Sequence, residues 1–538
     1  METIRIEKFL KIAAAAAIFL LTVLAAGCRN RDCKQEQNPG QEDSTVCAPV
    51  PSHLPDTCYE SIECLEYVVG VNDSLDASID LSEHRYDQAP GIFTFRGTPR
   101  RDNPGQGSIS GKPSGVEVVW EFRTDGDGRK CFGGPWGGGS GWTGQPVYVN
   151  WPDSLFEKFK ATSPGLTEDF GKEEIMLGSL AARVYFINFQ TGKASRKPVF
   201  VHNTIKGSIS LDPSLNGNLY FGQGVPVDTP IGAGVINLFT HEISDFFPVD
   251  KSAWRNWGAY DSSPVVVGDF LIRPSENGKL YKFRRCPEGK LALQSSLKYR
   301  VKGAGGAGIE SSIAVYLNYG YFGDNHGNII CVNLDTMKPV WRYSNHDDTD
   351  ASIVLAEEDG VPYLYTGCEI DKQGNEGFCY FIKLNGLDGS LVWECKYPGR
   401  KCHLNANKVE EGGMYSTPLF GHGDCEGLIF TTFCTHNPSL RGDFVAIDRA
   451  SGEIKYASKL DWYAWSSPVP MYTPEGKLYV VQGDCTGNVY IFDAATGERL
   501  CKQHIGNNFE SSPVVCGDCL VVGSRGDTIY KLKVTCEE

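Results

Sequence analysis

The sequence is short of basic residues: 51 Lys and Arg stand against 66 Asp and Glu, and the formal net charge at pH 7 is −15. Proteins that bind nucleic acid present a basic face to its phosphates, so this composition argues against a nucleic-acid partner. The acidity by itself is explained by solubility. Hydrophobic residues make up 41% of the chain, and its 61 Gly are typical of a turn-rich globular β protein.

Apolar runs long enough to favour a membrane-spanning helix are absent too. The run at residues 12–26 is too short for one, and the basic residues before it make it typical of an export signal. It ends in Leu24–Cys28, which resembles the bacterial lipoprotein box, although Ala25 stands where Leu is commoner. The resemblance implies that residues 1–27 are removed and that Cys28 carries the lipid. An ordinary secretory peptide is the alternative, and either way the body is exported.

Cysteine patterns that hold haem or zinc are missing. No Cys-x-x-Cys-His sequence occurs, and Cys516 and Cys519 have no second Cys-x-x-Cys or His pair nearby. Setting Cys28 aside leaves 18 of the 19 cysteines, an even number in an oxidising compartment, which favours disulfides. Two local pairs are predicted: Cys516 with Cys519, across a Gly-Asp hairpin turn, and Cys58 with Cys64. The second pair lies in residues 28–90, whose polar composition predicts a tether.

The last third of the chain contains two copies of one sequence repeat. Ser466–Val469 opens the first copy, and Ser511–Val514 opens the second 45 residues later. Each copy continues with three short runs rich in Val, Ile, Tyr and Leu, separated by Gly, Asp and Asn turns. This pattern predicts antiparallel strands joined by hairpins. A unit of this length with about four strands is typical of a β-propeller blade.

Related openings recur throughout residues 91–538. The second residue of each opening is, in order, Gln145, Ser208, Ser263, Ser312, Ser352, Thr417, Ser467 and Ser512. They predict an all-β, eight-bladed propeller, or seven blades if the opening at Ser208, which lacks a Pro, is not real. Residues 116–122 form a strand without a local partner, whereas the final repeat stops after its third strand. We expect this strand to complete the last blade and close the ring, which removes the open edges.

The whole pattern resembles a known repeat. Ser-Ser-Pro-Val-Val, a glycine-led strand and Asp-x-x-Thr-Gly-x-x-x-Trp are similar to the PQQ-type β-propeller repeat, and Phe95–Arg101 is similar to the segment that precedes such propellers. The resemblance implies one of two functional branches. Quinoprotein alcohol dehydrogenases bind pyrroloquinoline quinone and calcium. Outer-membrane assembly lipoproteins of the BamB type are non-catalytic, eight-bladed scaffolds.

The dehydrogenase branch uses groups that this sequence does not supply. Its members carry adjacent cysteines beside the quinone, and no Cys-Cys dipeptide occurs here. Their Glu, Asn and Asp calcium ligands match no motif that we find. Asp324–Asn328 and Asp484–Gly487 look like calcium loops, but each lies between two predicted strands and is better explained as a hairpin turn. We therefore expect no catalytic residue, no cofactor and no metal.

Aromatic residues exceed the needs of the repeat. Loops just before the opening strands gather on one face of a propeller, where rings can stack on a sugar or grip a peptide side chain. The aromatic residues in question are Trp136, Trp142, Trp254, Trp257, Tyr260, Tyr415, Trp462, Tyr463 and Trp465. Asp261, Glu310 and Glu510 stand immediately before an opening and offer hydrogen bonds. The alternative is that these rings fill gaps between blades and never meet solvent.

These observations predict a monomeric, lipid-anchored, non-enzymatic propeller of the cell envelope, at the outer membrane. In this interpretation it scaffolds or binds another envelope protein, and an outer-membrane barrel is the partner that the BamB resemblance implies. A glycan or small-ligand binder that uses the aromatic mouth is the first alternative. A quinone-dependent oxidoreductase is the least favoured.

Overall fold

The structure, a computed structural model, describes residues 53–72, 76–81, 86–105, 107–125, 127–131, 134–141, 144–225, 229–405 and 408–537. The chain divides into two compact units, Met1–Pro49 and Val50–Glu538, and every described residue belongs to the second. The predicted signal peptide and Cys28 lie outside the described residues. Within those residues, no helix has the length and apolar character needed to cross a membrane.

Eight sheets, each built on four antiparallel strands, surround one axis. We call them blades 1 to 8. Blade 1 consists of Val147–Asn150, Glu173–Gly178, Arg183–Asn188 and Ala194–Phe200, and blade 2 of Ser210–Leu211, Asn218–Gly222, Gly232–Asn237 and Glu242–Pro248. Blade 3 consists of Val265–Val267, Phe270–Ser275, Lys279–Arg285 and Leu291–Val301, and blade 4 of Ala314–Tyr316, Tyr319–Gly323, Asn328–Asn333 and Lys338–Ser344. Blade 5 consists of Val354–Glu358, Val361–Thr366, Glu376–Asn385 and Leu391–Arg400, and blade 6 of Leu419–Phe420, Leu428–Cys434, Gly442–Asp448 and Ile454–Lys459. Blade 7 consists of Val469–Tyr472, Leu478–Gly483, Asn488–Asp493 and Arg499–His504, and blade 8 of Val514–Cys516, Cys519–Gly523, Thr528–Cys536 and Pro113–Arg123.

The eight-blade prediction is confirmed. Every first strand begins two residues after the second residue of a predicted opening, so the spacing of the openings is the spacing of the blades. Blade 2 is real although its opening at Ser208 lacks a Pro, because Ser210–Leu211 still pairs with Asn218–Gly222. Its first strand is only two residues long, which explains why its sequence signal is weak.

The first strands are linked by hydroxyl groups near the axis. In five blades of the described chain, the backbone N–H of the second residue of an opening donates to the hydroxyl oxygen of the same residue in the next opening. The recorded bonds are Gln145 to Ser208 (2.8 Å), Ser263 to Ser312 (2.9 Å), Ser312 to Ser352 (2.9 Å), Thr417 to Ser467 (2.9 Å) and Ser467 to Ser512 (3.0 Å). The side-chain amide of Gln145 donates to the Pro513 carbonyl (2.8 Å) and so joins blade 1 to blade 8. Where this bond forms, the hydroxyl residue of the opening is the acceptor for the preceding blade.

Tryptophan links the blades at the outside of the ring. The Nε1 of Trp341, on the fourth strand of blade 4, donates to the Gly386 carbonyl of blade 5 at 2.9 Å. Trp393 of blade 5 and Trp120 of blade 8 make the same bond to the blade that follows each of them. These indoles are buried between blades.

The N-terminal part of the propeller closes the ring. Pro113–Arg123 pairs antiparallel with Thr528–Cys536 and supplies the fourth strand of blade 8, which confirms the strand predicted at residues 116–122 and extends it at both ends. Before it, Phe93–Arg101 crosses the axis among the first strands. The guanidinium of Arg96 is fully buried there and donates to the carbonyls of Pro418 and Pro468, both at 2.8 Å. The opening prolines thus provide acceptors for a buried cation.

Several segments extend the blades. Within the predicted tether, Leu65–Val71 pairs with the fourth strand of blade 3, and the 3₁₀ turn Glu60–Ile62 lies beside blade 4. The helix Asp153–Thr162 stands between the first two strands of blade 1, and Gly423–Cys425 is a second 3₁₀ turn. The remaining strands are Gly91–Ile92, Gly107–Ser108, Asp127–Cys131, Gly134–Gly137, Glu369–Ile370, Cys402–Asn405, Lys408–Glu410 and Gly412–Gly413.

The described cysteines for which side chains are given are free thiols. Cys516 and Cys519 are directly paired across their hairpin, so the predicted partners do face each other in register. Cys58 and Cys64 donate to two different carbonyls, those of Pro339 and Ser61. Neither predicted disulfide is formed here, and both remain predictions for the oxidised protein.

Candidate functional site

One end of the axis carries a ring of side chains that we call the mouth. In an antiparallel blade, the connection from the preceding blade and the turn between the second and third strands lie at the same end. The residue immediately before each opening therefore points to a common region. From blade 2 to blade 8 these residues are Lys206, Asp261, Glu310, Asp350, Tyr415, Trp465 and Glu510. Four blades in succession present charged groups, two present aromatic rings, and the last presents a carboxylate.

A cavity of 240 Å³ opens at the mouth. Its lining comes from five blades and consists of Gly141, Leu180, Lys206, Glu310, Trp465, Glu510 and Arg525. Residues from opposite sides of the ring share it, which places the cavity on the axis. The Arg525 guanidinium donates to Glu510 at 2.9 Å, so that carboxylate is already paired.

Three carboxylates of blades 3 and 4 form what we call the first triad. They belong to Asp261, Glu276 and Glu310, and one oxygen of each lies within 4.8 Å of the others. The ammonium of Lys206 contacts Asp261, and the Nε1 of Trp257 donates to Glu276 at 2.6 Å. Burial lowers the pKa of Lys206, but the attraction of the three carboxylates outweighs it and leaves that pKa raised. The first triad therefore holds a cation that the chain itself supplies.

Three carboxylates of blade 5 form the second triad. Asp348, Asp350 and Glu369 also bring one oxygen each within 4.8 Å of one another. Asp350 and Glu369 are only 7% and 6% exposed, and the Asp348 side chain is 17% exposed. The hydroxyl of Tyr415 donates to Oε2 of Glu369 at 2.8 Å. Asp348 Oδ1, Asp350 Oδ1 and Glu369 Oε1 have no hydrogen-bond partner within the part of the chain that the structure describes.

The electrostatics of the second triad oppose full ionisation. Burial and the charge of Glu310 raise the pKa of Asp350 and of Asp348 well above the usual range. Burial and Asp348 raise the pKa of Glu369 in the same way. Buried carboxylates without a counter-charge are costly, and such clusters are more typical of functional sites than of cores.

The aromatic residues predicted for the mouth are divided by the structure. Trp465 lines the cavity and stacks on Tyr415, with ring centroids 5.0 Å apart, and Trp257 contacts the first triad. Tyr463 is buried beside them, and Trp462 packs against it. These rings lie where the sequence placed them.

Four of the predicted aromatic residues lie elsewhere or fall outside the described residues. Trp254 is sandwiched by Lys298 and Arg300 on the outer strand of blade 3, 4.6 and 4.4 Å from those cations. Tyr260 is buried in the core between blades 2 and 3, so for this ring the gap-filling alternative holds. The side chain of Trp136 and the whole of Trp142 lie outside the described residues.

The carboxylates exceed what the sequence predicted for the mouth. Glu310 and Glu510 were identified from their position, and Lys206 and Asp350 occupy that same position but were overlooked. Glu276 and Glu369 come from the turns after the second strands of blades 3 and 5, which the opening phrase does not reveal.

The two loops that look like calcium sites are hairpin turns. Oδ1 of Asp324 accepts the backbone N–H groups of His326 and Asn328, both at 2.9 Å. Oδ1 of Asp484 does the same for Thr486 and Asn488, at 2.9 and 3.0 Å. Each carboxylate thus caps its own turn.

Comparison with known proteins supports the fold and nothing finer. No family model and no curated protein matches the sequence. Among solved structures, a europium-containing methanol dehydrogenase is 12% identical with a TM-score of 0.58, over 82% of this chain and 98% of that one. Quinohemoprotein alcohol dehydrogenase from Comamonas testosteroni is 14% identical with a TM-score of 0.56, over 84% and 81%. BamB from Moraxella catarrhalis is 13% identical with a TM-score of 0.48, over 78% and 99%. The chain shares the propeller fold of the two dehydrogenases at low identity.

The mouth does not suit the cofactor of the dehydrogenase branch. Pyrroloquinoline quinone is a polycarboxylate anion, and its binding site must supply cations and hydrogen-bond donors. Here the cations that line the cavity, Lys206 and Arg525, are paired with Asp261 and Glu510. The other charged groups around the ring are carboxylates, which would repel the quinone. The residues present fit a cationic ligand better than an anionic one.

Proposed function

We propose that this protein is a lipid-anchored, non-enzymatic propeller of the cell envelope that binds another envelope protein at its mouth. One observation carries the proposal: within the described residues, buried carboxylate oxygens at the mouth lack hydrogen-bond donors, beside an open axial cavity. Buried polar groups in native proteins are nearly always paired, so groups left unpaired at a surface opening are typical of a binding site.

The position of the N-terminal segment agrees with this proposal. Leu54 donates its N–H to Asn318 at 2.9 Å, and His53 lies 2.9 Å from Asp335. Asn318 and Asp335 belong to the turns after the first and third strands of blade 4, which lie at the opposite end of the blade from the mouth. Residues 53 and 54 thus contact blade 4 at the end opposite the mouth.

Gentle-detergent capture of the full-length protein from its own envelope, followed by mass spectrometry, tests the proposal. We expect one envelope protein at stoichiometric yield, and a barrel protein would match the scaffold branch. A Cys28→Ser variant should leave the membrane fraction, because the lipid is its anchor. Capture of no protein in stoichiometric amount would refute the scaffold function, and a Cys28→Ser protein that stays in the membrane fraction would refute the anchor.

A small-ligand or glycan function is the second candidate, and the Trp465–Tyr415 stack at the cavity favours it. Aromatic faces bind sugar rings and also cations. A glycan screen by tryptophan fluorescence would detect such a ligand. Trp465→Ala should abolish the change, whereas Trp254→Ala, which alters a ring on the outer strand of blade 3, should leave it intact. Binding that survives Trp465→Ala would rule out the mouth as the sugar site.

A further inference from the structure

The two triads are built from equivalent positions. Asp261 and Asp350 each stand immediately before an opening. Glu276 and Glu369 each follow the second strand of the same blade. In both triads a third carboxylate completes the group within 4.8 Å. The comparison between blade 3 and blade 5 is therefore a comparison of one design in two copies.

The two copies differ in what occupies them. In the first triad the Lys206 ammonium contacts Asp261. At the second triad, the Nζ of Lys372 lies 4.0 Å from Oδ2 of Asp348, at the limit of an ion pair. Lys372 is 47% exposed and donates to the Asn325 carbonyl, so it stands at the rim and not between the carboxylates.

We propose that the second triad binds a primary ammonium group, which a lysine side chain of the partner protein supplies. This inference rests on the proposed function, because it names the group that the partner inserts. An ammonium has three N–H donors, and three oxygens of the triad find no donor in the described part of the chain: Asp348 Oδ1, Asp350 Oδ1 and Glu369 Oε1. The first triad already shows that this chain surrounds an ammonium with carboxylates of the same kind.

The surroundings of the second triad suit a cation that arrives from the mouth. Asp348 is its most exposed member and forms the way in. Tyr415 binds Glu369 through its hydroxyl and stacks on Trp465, which lines the axial cavity. Tyr415 and Trp465 thus connect Glu369 of the triad to the axial cavity, and their ring faces can pack against the aliphatic part of a lysine side chain.

A divalent metal fits this arrangement less well. Calcium takes six to eight oxygen ligands. The triad has three carboxylates, and Oε2 of Glu369 is already bound by Tyr415 while Oδ2 of Asp348 faces Lys372. The three unpaired oxygens of the triad match the three donors of an ammonium, whereas a calcium ion bound to them would take most of its ligands from water.

Calorimetric titration of the full-length protein at pH 8 tests the proposal with ethylammonium chloride as the probe. We expect one ethylammonium per chain. Choline, which has no N–H, should bind at least tenfold more weakly. Asp350→Asn should weaken ethylammonium binding at least tenfold, whereas the exposed control Glu376→Gln should not change it. Equal binding of choline, an unchanged affinity in Asp350→Asn, or binding of CaCl₂ in place of ethylammonium would overturn the proposal.

A gain of binding provides a second, independent readout. Lys206→Ala removes the cation of the first triad and should create a second ethylammonium site, so that the stoichiometry rises from one to two. A Lys206→Ala protein that still binds a single ethylammonium would refute the equivalence of the two triads, on which the proposal depends.

Capture of the envelope partner separates this inference from the proposed function. If the partner is held by the wild type and lost from Asp350→Asn, both are supported. If both proteins hold the partner equally, the scaffold function stands and the ammonium inference is overturned. If ethylammonium binds to the wild type but no partner is captured, the scaffold function falls, and a free amine replaces the partner's lysine as the ligand.

Discussion

Glu369→Gln should stabilise the protein, because it removes one of three buried carboxylates that repel one another. Two unit charges 4.8 Å apart repel by about 3.5 kcal/mol at an effective dielectric constant of about 20. Partial protonation relieves some of this repulsion, so we expect a gain of about 1–3 kcal/mol in the free energy of unfolding at pH 8. The glutamine oxygen can still accept the Tyr415 hydroxyl, and its new N–H groups face Asp350.

The effect should depend on pH with a defined sign. The pKa of Glu369 is raised in the folded protein by burial and by Asp348. A raised carboxyl pKa stabilises the fold below the unfolded value, near 4.3, and this contribution is lost as pH rises through the folded value. The wild type should therefore lose stability relative to Glu369→Gln between about pH 4 and pH 8.

Thermal unfolding measures this difference. An entropy of about 2.1 cal/mol/K per residue over a cooperative unit of about 450 residues converts the gain into a rise of about 1–3 °C in Tm at pH 8. Little or no rise is expected at pH 4.5. Glu376→Gln, on the same blade with its side chain 76% exposed, should shift Tm by less than about 0.5 °C. A lower Tm for Glu369→Gln at pH 8, or an equal rise at both pH values, would refute the reasoning.

Three further outcomes are expected. Ser312→Ala leaves the buried N–H of Ser263 without its acceptor and should cost about 1–3 kcal/mol, measured by urea unfolding, and a cost near zero would show that the hydroxyl ring is dispensable. Trp341→Phe removes the fully buried indole that bonds to blade 5 and should cost about 2 kcal/mol or more in the same assay; a cost within error would contradict the role of the indole as a link between blades. Cys516 and Cys519, paired in register, should resist alkylation without reductant in protein taken from an oxidising compartment, as peptide mass spectrometry would show, and full alkylation there would refute the predicted disulfide.

The architecture could be predicted from the sequence because it repeats. In five blades of the described chain, the hydroxyl residue two positions before the first strand accepts the backbone N–H of the preceding blade, so the repeated opening marks a structural contact there. The closing strand was predictable for a related reason: Val116 and its neighbours had no local partner, and the last blade lacked a strand. Such features are local or complementary, and sequence shows both.

The chemistry of the mouth was less predictable. Glu276 and Glu369 lie close to Asp261 and Asp350 only because the first two strands of each blade bring the turn after the second strand to the end where the first begins. No local sequence pattern shows this proximity. The aromatic interpretation treated all rings near an opening alike. Trp254 and Trp465 both stand shortly before an opening, yet one is held by cations of the outer strand and the other faces the axis.

The strand Leu65–Val71 has a mechanical consequence. It pairs with the edge of blade 3 in a seven-residue antiparallel ladder, and residues 53–62 are fixed along blade 4. Tension applied to the chain before residue 53 is therefore borne first by blades 3 and 4. Pro113–Arg123, whose loss would open the ring, lies beyond these attachments and does not carry the load while they hold. A propeller held by its N-terminus can thus be pulled without strain on its own closure.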